Sequence, residues 1–254
     1  MRILIVNTSE KTGGAAVAAN RLMDALNNNG VKAKMLVRDK ETESITVAHM
    51  PRSIFGQWHF LWERWCIFWH MHFSKLHLFD IDIANSGYDI TQLPEFKEAD
   101  VIHLHWINQG MLSLGSIRKI LKSGKPLVWT MHDMWPATSV CHLTMGCNKF
   151  HGGCSKCKYL PAGWMGDLAA KVWRRKQQLY KQNNILFVAC SKWLASEAQS
   201  SLLLSGQKVV SIPNPIDSRI YCPADRLEAR TRAILPADKR IILFIAQRAT
   251  NPYK

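Results

Sequence analysis

Strand-length apolar runs alternate with helix-length segments along this chain, and that alternation constrains its fold more than any other feature. Met1 to Asn7 is an apolar run of the kind found in a strand buried on both faces. A Gly13-Gly14 loop follows, then a helical pattern from Ala15 to Asn29 that stops at Gly30, a natural C-terminal cap. Val31 to Val37 reads as the second strand. The alternation continues with strand Val101–Trp106, helix Leu114–Lys122, a Gly124-Lys125-Pro126 turn and strand Leu127–Met131. After a long cysteine-rich loop come helix Met165–Gln182, strand Ile185–Ala189, helix Ser191–Leu204 and strand Lys208–Ile212. Units of this spacing predict an α/β fold with a doubly wound, Rossmann-like parallel sheet. No internal repeat or low-complexity segment interrupts it.

The pattern changes after Ile212. Pro213-Asn214-Pro215-Ile216-Asp217 is turn-rich, Pro223 to Ala237 has the look of a charged linker helix, and Arg240 to Gln247 is again strand-like. The expected organisation is a first domain over residues 1–222, a linker over 223–238 and the start of a second domain over 239–254. A lone strand cannot bury itself, so the expectation is of a chain that stops early in its second domain.

Hydrophobic residues make up 47% of the 254 and charged residues 20%, enough for a substantial core. Ile54 to Phe79 is the longest apolar-looking stretch, but Glu63, Arg64 and Lys75 interrupt it, which argues against a membrane-spanning helix. The absence of a leader-like segment before the first strand implies a cytoplasmic protein. A net charge of +14 favours anionic partners: nucleic acid, a membrane surface or phosphorylated small molecules. No nucleic-acid module is visible and only Arg174, Arg175 and Lys176 cluster, so nucleic acid is set aside.

Gly13-Gly14 lies between the first strand and first helix, at the sheet edge where such folds bind ligands. Without side chains, a phosphate can approach the backbone amides and the helix N-terminus. A tight turn is the competing reading. The pattern is not G-x-G-x-x-G, which excludes a nicotinamide fingerprint, and there is no Walker motif.

Thr12-Gly13-Gly14-Ala15-Ala16, with Arg21-Leu22 downstream, resembles the opening of family 4 glycosyltransferases. His103-Leu104-His105-Trp106, Thr130-Met131-His132-Asp133-Met134-Trp135, Cys190-Ser191-Lys192-Trp193-Leu194 and Ile212-Pro213-Asn214-Pro215-Ile216-Asp217 follow in that family's order. The resemblance implies the N-terminal, acceptor-side half of a GT-B fold, in which two Rossmann-like domains face each other across a cleft. It further implies transfer, usually with retention and without a bound metal, from a nucleotide-sugar donor to a glycan or lipid-linked acceptor in cell-surface polysaccharide synthesis. By the same resemblance Arg248 and Lys254 would grip the donor diphosphate, where two fixed cations stabilise developing charge. His132 would face the donor sugar or scissile bond as the catalytic-site residue. His105, Trp106 and Asp133 fall to the acceptor side, although Asp133 could equally orient or cap. Ser191 reads as a helix cap and Asn214 as a turn former. A non-catalytic module of the same fold, docked to an anionic membrane or a protein partner, is the alternative. Oligomeric state is left open.

Cys141, Cys147, Cys154 and Cys157 fall in one loop with His142 and His151. Only Cys154 and Cys157 have zinc-knuckle spacing, so a structural zinc competes with free thiols and disulfides. Finally, Trp58, Trp62, Trp65 and Trp69 recur at helical spacing, with His59, His70, His72 and His77 nearby. Core packing against the sheet is the first reading of that stripe, and a membrane-facing role at the inner face of the membrane is the second.

Overall fold

The computed structural model describes residues 1–51, 57–160 and 166–244. Residues 1–215 form one compact unit and 216–254 a second. The first unit carries β1 (Arg2–Ser9), β2 (Lys32–Asp39), β3 (Val47–His49), β4 (Val101–Leu104), β5 (Leu127–Met131), β6 (Leu186–Ala189) and β7 (Lys208–Ser211). They form one sheet in the order β3-β2-β1-β4-β5-β6-β7, and every pairing is parallel. The expected doubly wound α/β architecture is therefore the one found.

Each strand owes its place to the alternation of side chains across the pleat. Along β1, Leu4 and Val6 enter the larger core, whereas Ile5 enters a smaller one with Ala19 and Met23 of α1 (Gly14–Asn28). Both faces are thus covered, which is why these strands read as continuous apolar runs. In the larger core Trp129 packs 5.8 Å from Phe187 and 6.0 Å from Trp135, ring centre to ring centre.

Among the described residues the unit also carries five further α-helices: α2 (Trp58–His70), α3 (Pro94–Glu98), α4 (Leu114–Lys122), α5 (Leu168–Lys181) and α6 (Lys192–Gln199). The starts of α4, α5 and α6 are set by side-chain caps. Ser113 accepts from Ser116 N in a capping box, Asp167 accepts from Ala170 N, and Ser191 accepts from Leu194 N, the cap role expected for it. Gly30, with φ at 78°, follows α1 in the left-handed conformation that its place after the helix calls for. The helix expected to run to Leu204 instead ends at Gln199 and is followed by a 3-10 turn, Leu202–Leu204. Two short elements, β3 and α3, had no sequence reading.

In the second unit α7 (Arg226–Arg232) lies within the expected linker helix and buries none of its residues. The strand expected from Arg240 is not formed over residues 240–244; its remainder lies outside the described residues.

α2 corrects the first reading of the tryptophan stripe. Trp58, Trp62, Trp65 and Trp69 are 56%, 43%, 50% and 38% exposed, while Glu63, Arg64 and Ile67 are the buried residues of the helix. The cause is polar. Glu63 Oε1 accepts from the backbone N–H groups of Ile83 and Ala84 at 2.9 and 2.6 Å, and Arg64 donates to Leu78 O, Ile81 O and Asp82. Gly110 lets the helix come close: a Cβ there would sit 2.6 Å from Phe60 N.

Candidate functional site

The order of the strands reverses between β1 and β4, and in open α/β sheets the crevice beyond the strand ends at such a point takes the ligand. Three sequence-predicted groups converge on that edge: Gly13-Gly14 after β1, His105-Trp106 after β4 and His132-Asp133 after β5.

Backbone and side-chain bonds stitch the end of β1 to the loop after β4. Trp106 N donates to Asn7 Oδ1 at 2.9 Å, and Thr8 N and Oγ1 both donate to Trp106 O. Glu10 is buried and ties the β1 loop to the β2 loop by accepting from Glu41 N, Thr42 N and the Thr42 hydroxyl. Burial opposes ionisation of Glu10, but the bonds from Thr42 and Glu41 hold its carboxyl below the usual range. Gly13 sits at φ 91°, a conformation that favours glycine, and a Cβ on either Gly13 or Gly14 would meet nothing within 4 Å. The loop is pinned, yet the space above it is open.

His105 Nδ1 and His132 Nε2 are 3.0 Å apart, with their rings stacked at 5.2 Å. Burial lowers the pKa of both, that of His105 farther, so one neutral imidazole donates to the other. His103 backs the pair, its ring 4.6 Å from His105 and its Nε2 2.8 Å from Thr130 Oγ1; burial pushes its pKa down to about 4. His105 is 3% exposed and its Nε2 has no hydrogen-bond partner among the described residues. Buried polar atoms are seldom left so.

The Asp133 carboxylate is engaged within the protein. It accepts from Trp106 Nε1 at 3.0 Å, from Trp135 N at 2.9 Å and from His142 Nδ1 at 2.7 Å. Of its two sequence readings, orientation is the one these bonds describe: it fixes the Trp106 indole. His142, from the cysteine loop, also places Nε2 2.5 Å from Asp82 Oδ2. Both ring nitrogens face carboxylates, so the ring is an imidazolium. Burial works against that charge, but Asp133 and Asp82 together raise its pKa to about 10. Asp82 in turn pairs with Arg64, which lies 3.5 Å from Glu63. A buried polar chain therefore runs from α2 to the Trp106 indole. The sequence could not reveal it, because Asp82 and His142 are sixty residues apart and neither sits in a motif.

All seven cysteines are free thiols. Cys141, Cys154 and Cys157 pack against the larger core, and burial pushes the first two up to about 12 and about 11. Among the described residues no group of three or more His, Cys, Asp or Glu is already arranged to hold a metal. His151 lies apart from the site, its Nδ1 3.2 Å from Ser200 O. Arg248 and Lys254 lie outside the described residues.

A seven-stranded parallel sheet with polar loops gathered beyond its switch point defines a doubly wound α/β protein. The chain belongs to Glycosyltransferase Family 4, whose family model matches residues 12–219. It is also 34% identical over 130 residues to the Escherichia coli (strain K12) protein named "Putative colanic acid biosynthesis glycosyl transferase WcaC". That match covers 46% of this chain and 31% of the relative, so it spans about a third of the relative's length. No helix among the described residues is long and apolar enough to cross a membrane.

Proposed function

We propose that this chain supplies the acceptor-side half of a GT-B-type glycosyltransferase. In this reading it moves a sugar, with retention, from a nucleotide-sugar donor to a glycan or lipid-linked acceptor in polysaccharide synthesis at the inner face of the membrane. The observation that carries the reading is the His105–His132 pair at the sheet's switch point, beside an indole held by Asp133. The relative's printed role in colanic acid biosynthesis supports the polysaccharide part.

Each residue has a physical role in this scheme. His132 contacts the donor sugar through Nδ1, the nitrogen its bond to His105 leaves over. Being neutral, it hydrogen-bonds without adding charge beside the leaving group. His105 is a positioning residue, and Trp106 offers a flat apolar surface to a sugar face. The open space over Gly13 and Gly14 admits the diphosphate to the backbone. Arg248 and Lys254 are the cations proposed to hold that diphosphate, in a second domain proposed to open at residue 239. No bound metal is needed for the transfer as proposed.

The test is nucleoside diphosphate release by the full-length protein across UDP-, GDP- and ADP-sugars with lipid-extract acceptors. One nucleotide class should turn over, with His132→Ala lowering kcat by on the order of a hundredfold or more. Wild-type turnover in His132→Ala would remove that residue's role, and no release from any donor would remove the transferase reading.

A further inference from the structure

α2 is inside out. Its ion-paired residues face the core, and its tryptophans face away. The orientation is fixed, because Glu63 and Arg64 are each tied to backbone groups of residues 78–84 by the bonds given above. Turning the tryptophans inward would leave Asp82 and the Ile83 and Ala84 N–H groups without partners.

The face left outside is continuous. Trp58 stacks on Trp62 at 6.2 Å, Trp65 lies 6.0 Å from Trp69, and Trp69 meets Phe73 at 5.1 Å. Beyond the helix, Phe73, Leu76 and Phe79 are 55%, 78% and 59% exposed. Between the helix and this following segment runs an apolar groove of about 460 Å³, bordered by Trp62, Trp65, Phe68, Lys75 and Leu78. Exposed apolar patches of this continuity mark interaction sites.

Composition and charge say what covers it. Four tryptophans on one face of a thirteen-residue helix suit a lipid–water interface, where an indole keeps an apolar body and a polar edge. Between residues 57 and 79 the only acidic side chain is Glu63, which is buried, whereas Lys75 and four histidines lie in the same stretch. The whole chain carries +14. A second copy would bring the same positive charge to the contact; an anionic bilayer brings the opposite one.

We propose that the outer face of α2, with the segment from Phe73 to Phe79, docks in the plane of an anionic lipid surface. Its tryptophans lie at headgroup depth and Lys75 meets lipid phosphates. The inference deepens the reading of a lipid-linked acceptor and rests on it for its biological sense, but its test needs no turnover. Because α2 is wired to Asp133 and Trp106 through Asp82 and His142, docking would present the acceptor side of the site toward the bilayer's lipids.

The experiment is co-sedimentation of the full-length protein with phosphatidylcholine vesicles, with and without phosphatidylglycerol, alongside tryptophan emission and its quenching by shallowly brominated lipid. Phosphatidylglycerol vesicles should bind the protein, with a blue shift, quenching and release by salt. Trp62→Ser/Trp65→Ser alters only exposed positions and should lower the partition coefficient by on the order of tenfold or more at unchanged Tm. Lack of binding to anionic vesicles, or undiminished binding by this folded variant, overturns the proposal. So does a dimer in sedimentation velocity that the same substitutions dissolve. Vesicle binding without sugar transfer would fail the proposed function alone, and transfer without vesicle binding would fail this inference alone.

Discussion

His142 donates from Nδ1 to the Asp133 carboxylate at 2.7 Å while its other nitrogen lies 2.5 Å from Asp82. The imidazolium between two carboxylates makes stability depend on pH in a definite direction. The folded pKa, about 10, is above the ordinary 6.5, so the contribution is complete below pH 6.5 and is lost as pH rises toward 10. His142→Gln should cost about 3 kcal/mol at pH 6, since it leaves two carboxylates facing each other. The difference from wild type should shrink by pH 9.5 in urea titrations. A difference independent of pH would mean that the ring is not held charged.

Gly110 and Gly14 separate a packing glycine from a ligand-edge glycine. At Gly110 φ is 81° and an added Cβ would strike the Phe60 backbone at 2.6 Å, so Gly110→Ala should lose about 2 kcal/mol or more and displace the start of α2. At Gly14 a Cβ meets nothing. Gly14→Ala should leave Tm within a degree or two of wild type, since Ala is favoured in a helix. Under the proposed function it should still weaken donor binding in calorimetry, and an unaltered donor Kd would count against phosphate approach at this loop.

The neutral state of His132 can be read from a pH–rate profile. Burial holds its pKa below 6.5, so kcat/KM of the full-length enzyme should keep its plateau below pH 6.5 and fall only at more acid pH. The charge of Asp133 opposes this shift. Replacing it as Asp133→Asn should therefore move the acid limb lower still, in addition to loosening Trp106. A limb that moves upward would contradict the assignment of the limb to His132.

What the sequence revealed and what it hid follow from one distinction. Strands β1, β5 and β6 are buried on both faces and β4 buries Ile102 and Leu104 on one, so these runs announce the strands and, with the loops that follow, place Gly13, His105 and His132 on one edge. The rotation of α2 was hidden because hydropathy ranks Trp above Glu and Arg as a core residue. The deciding partners, Asp82 and the Ile83 and Ala84 N–H groups, lie roughly twenty positions away. Asp133 looked like a ligand group in its motif, but Trp106, Trp135 and His142, the last brought in by the cysteine loop, engage its carboxylate within the protein. β3, three residues long at the sheet edge, is too short to carry a period.

Lys176 offers the last test. Arg174, Arg175 and Lys176 form a basic cluster in sequence, but the helical period splits them: Val172, Trp173, Lys176, Leu179 and Tyr180 share the buried face of α5. The Lys176 ammonium sits 3.3 Å above the Trp135 ring and donates to Trp135 O at 2.6 Å and Thr138 O at 3.1 Å. Burial nevertheless lowers its pKa to about 7, against 10.5 for an ordinary lysine. The unfolded chain therefore holds a proton that the folded one sheds between pH 7 and 10.5, so this site destabilises fully below pH 7 and is relieved as pH rises. Lys176→Met keeps the volume and removes that penalty. Relative to wild type it should be most favourable at pH 6.5 and lose at least ~1 kcal/mol by pH 9. Over that range Cys141 and Cys154 stay protonated and do not confuse the comparison. Urea midpoints of the two proteins at pH 6.5, 8 and 9 measure it, and parallel curves would mean that Lys176 keeps its proton throughout.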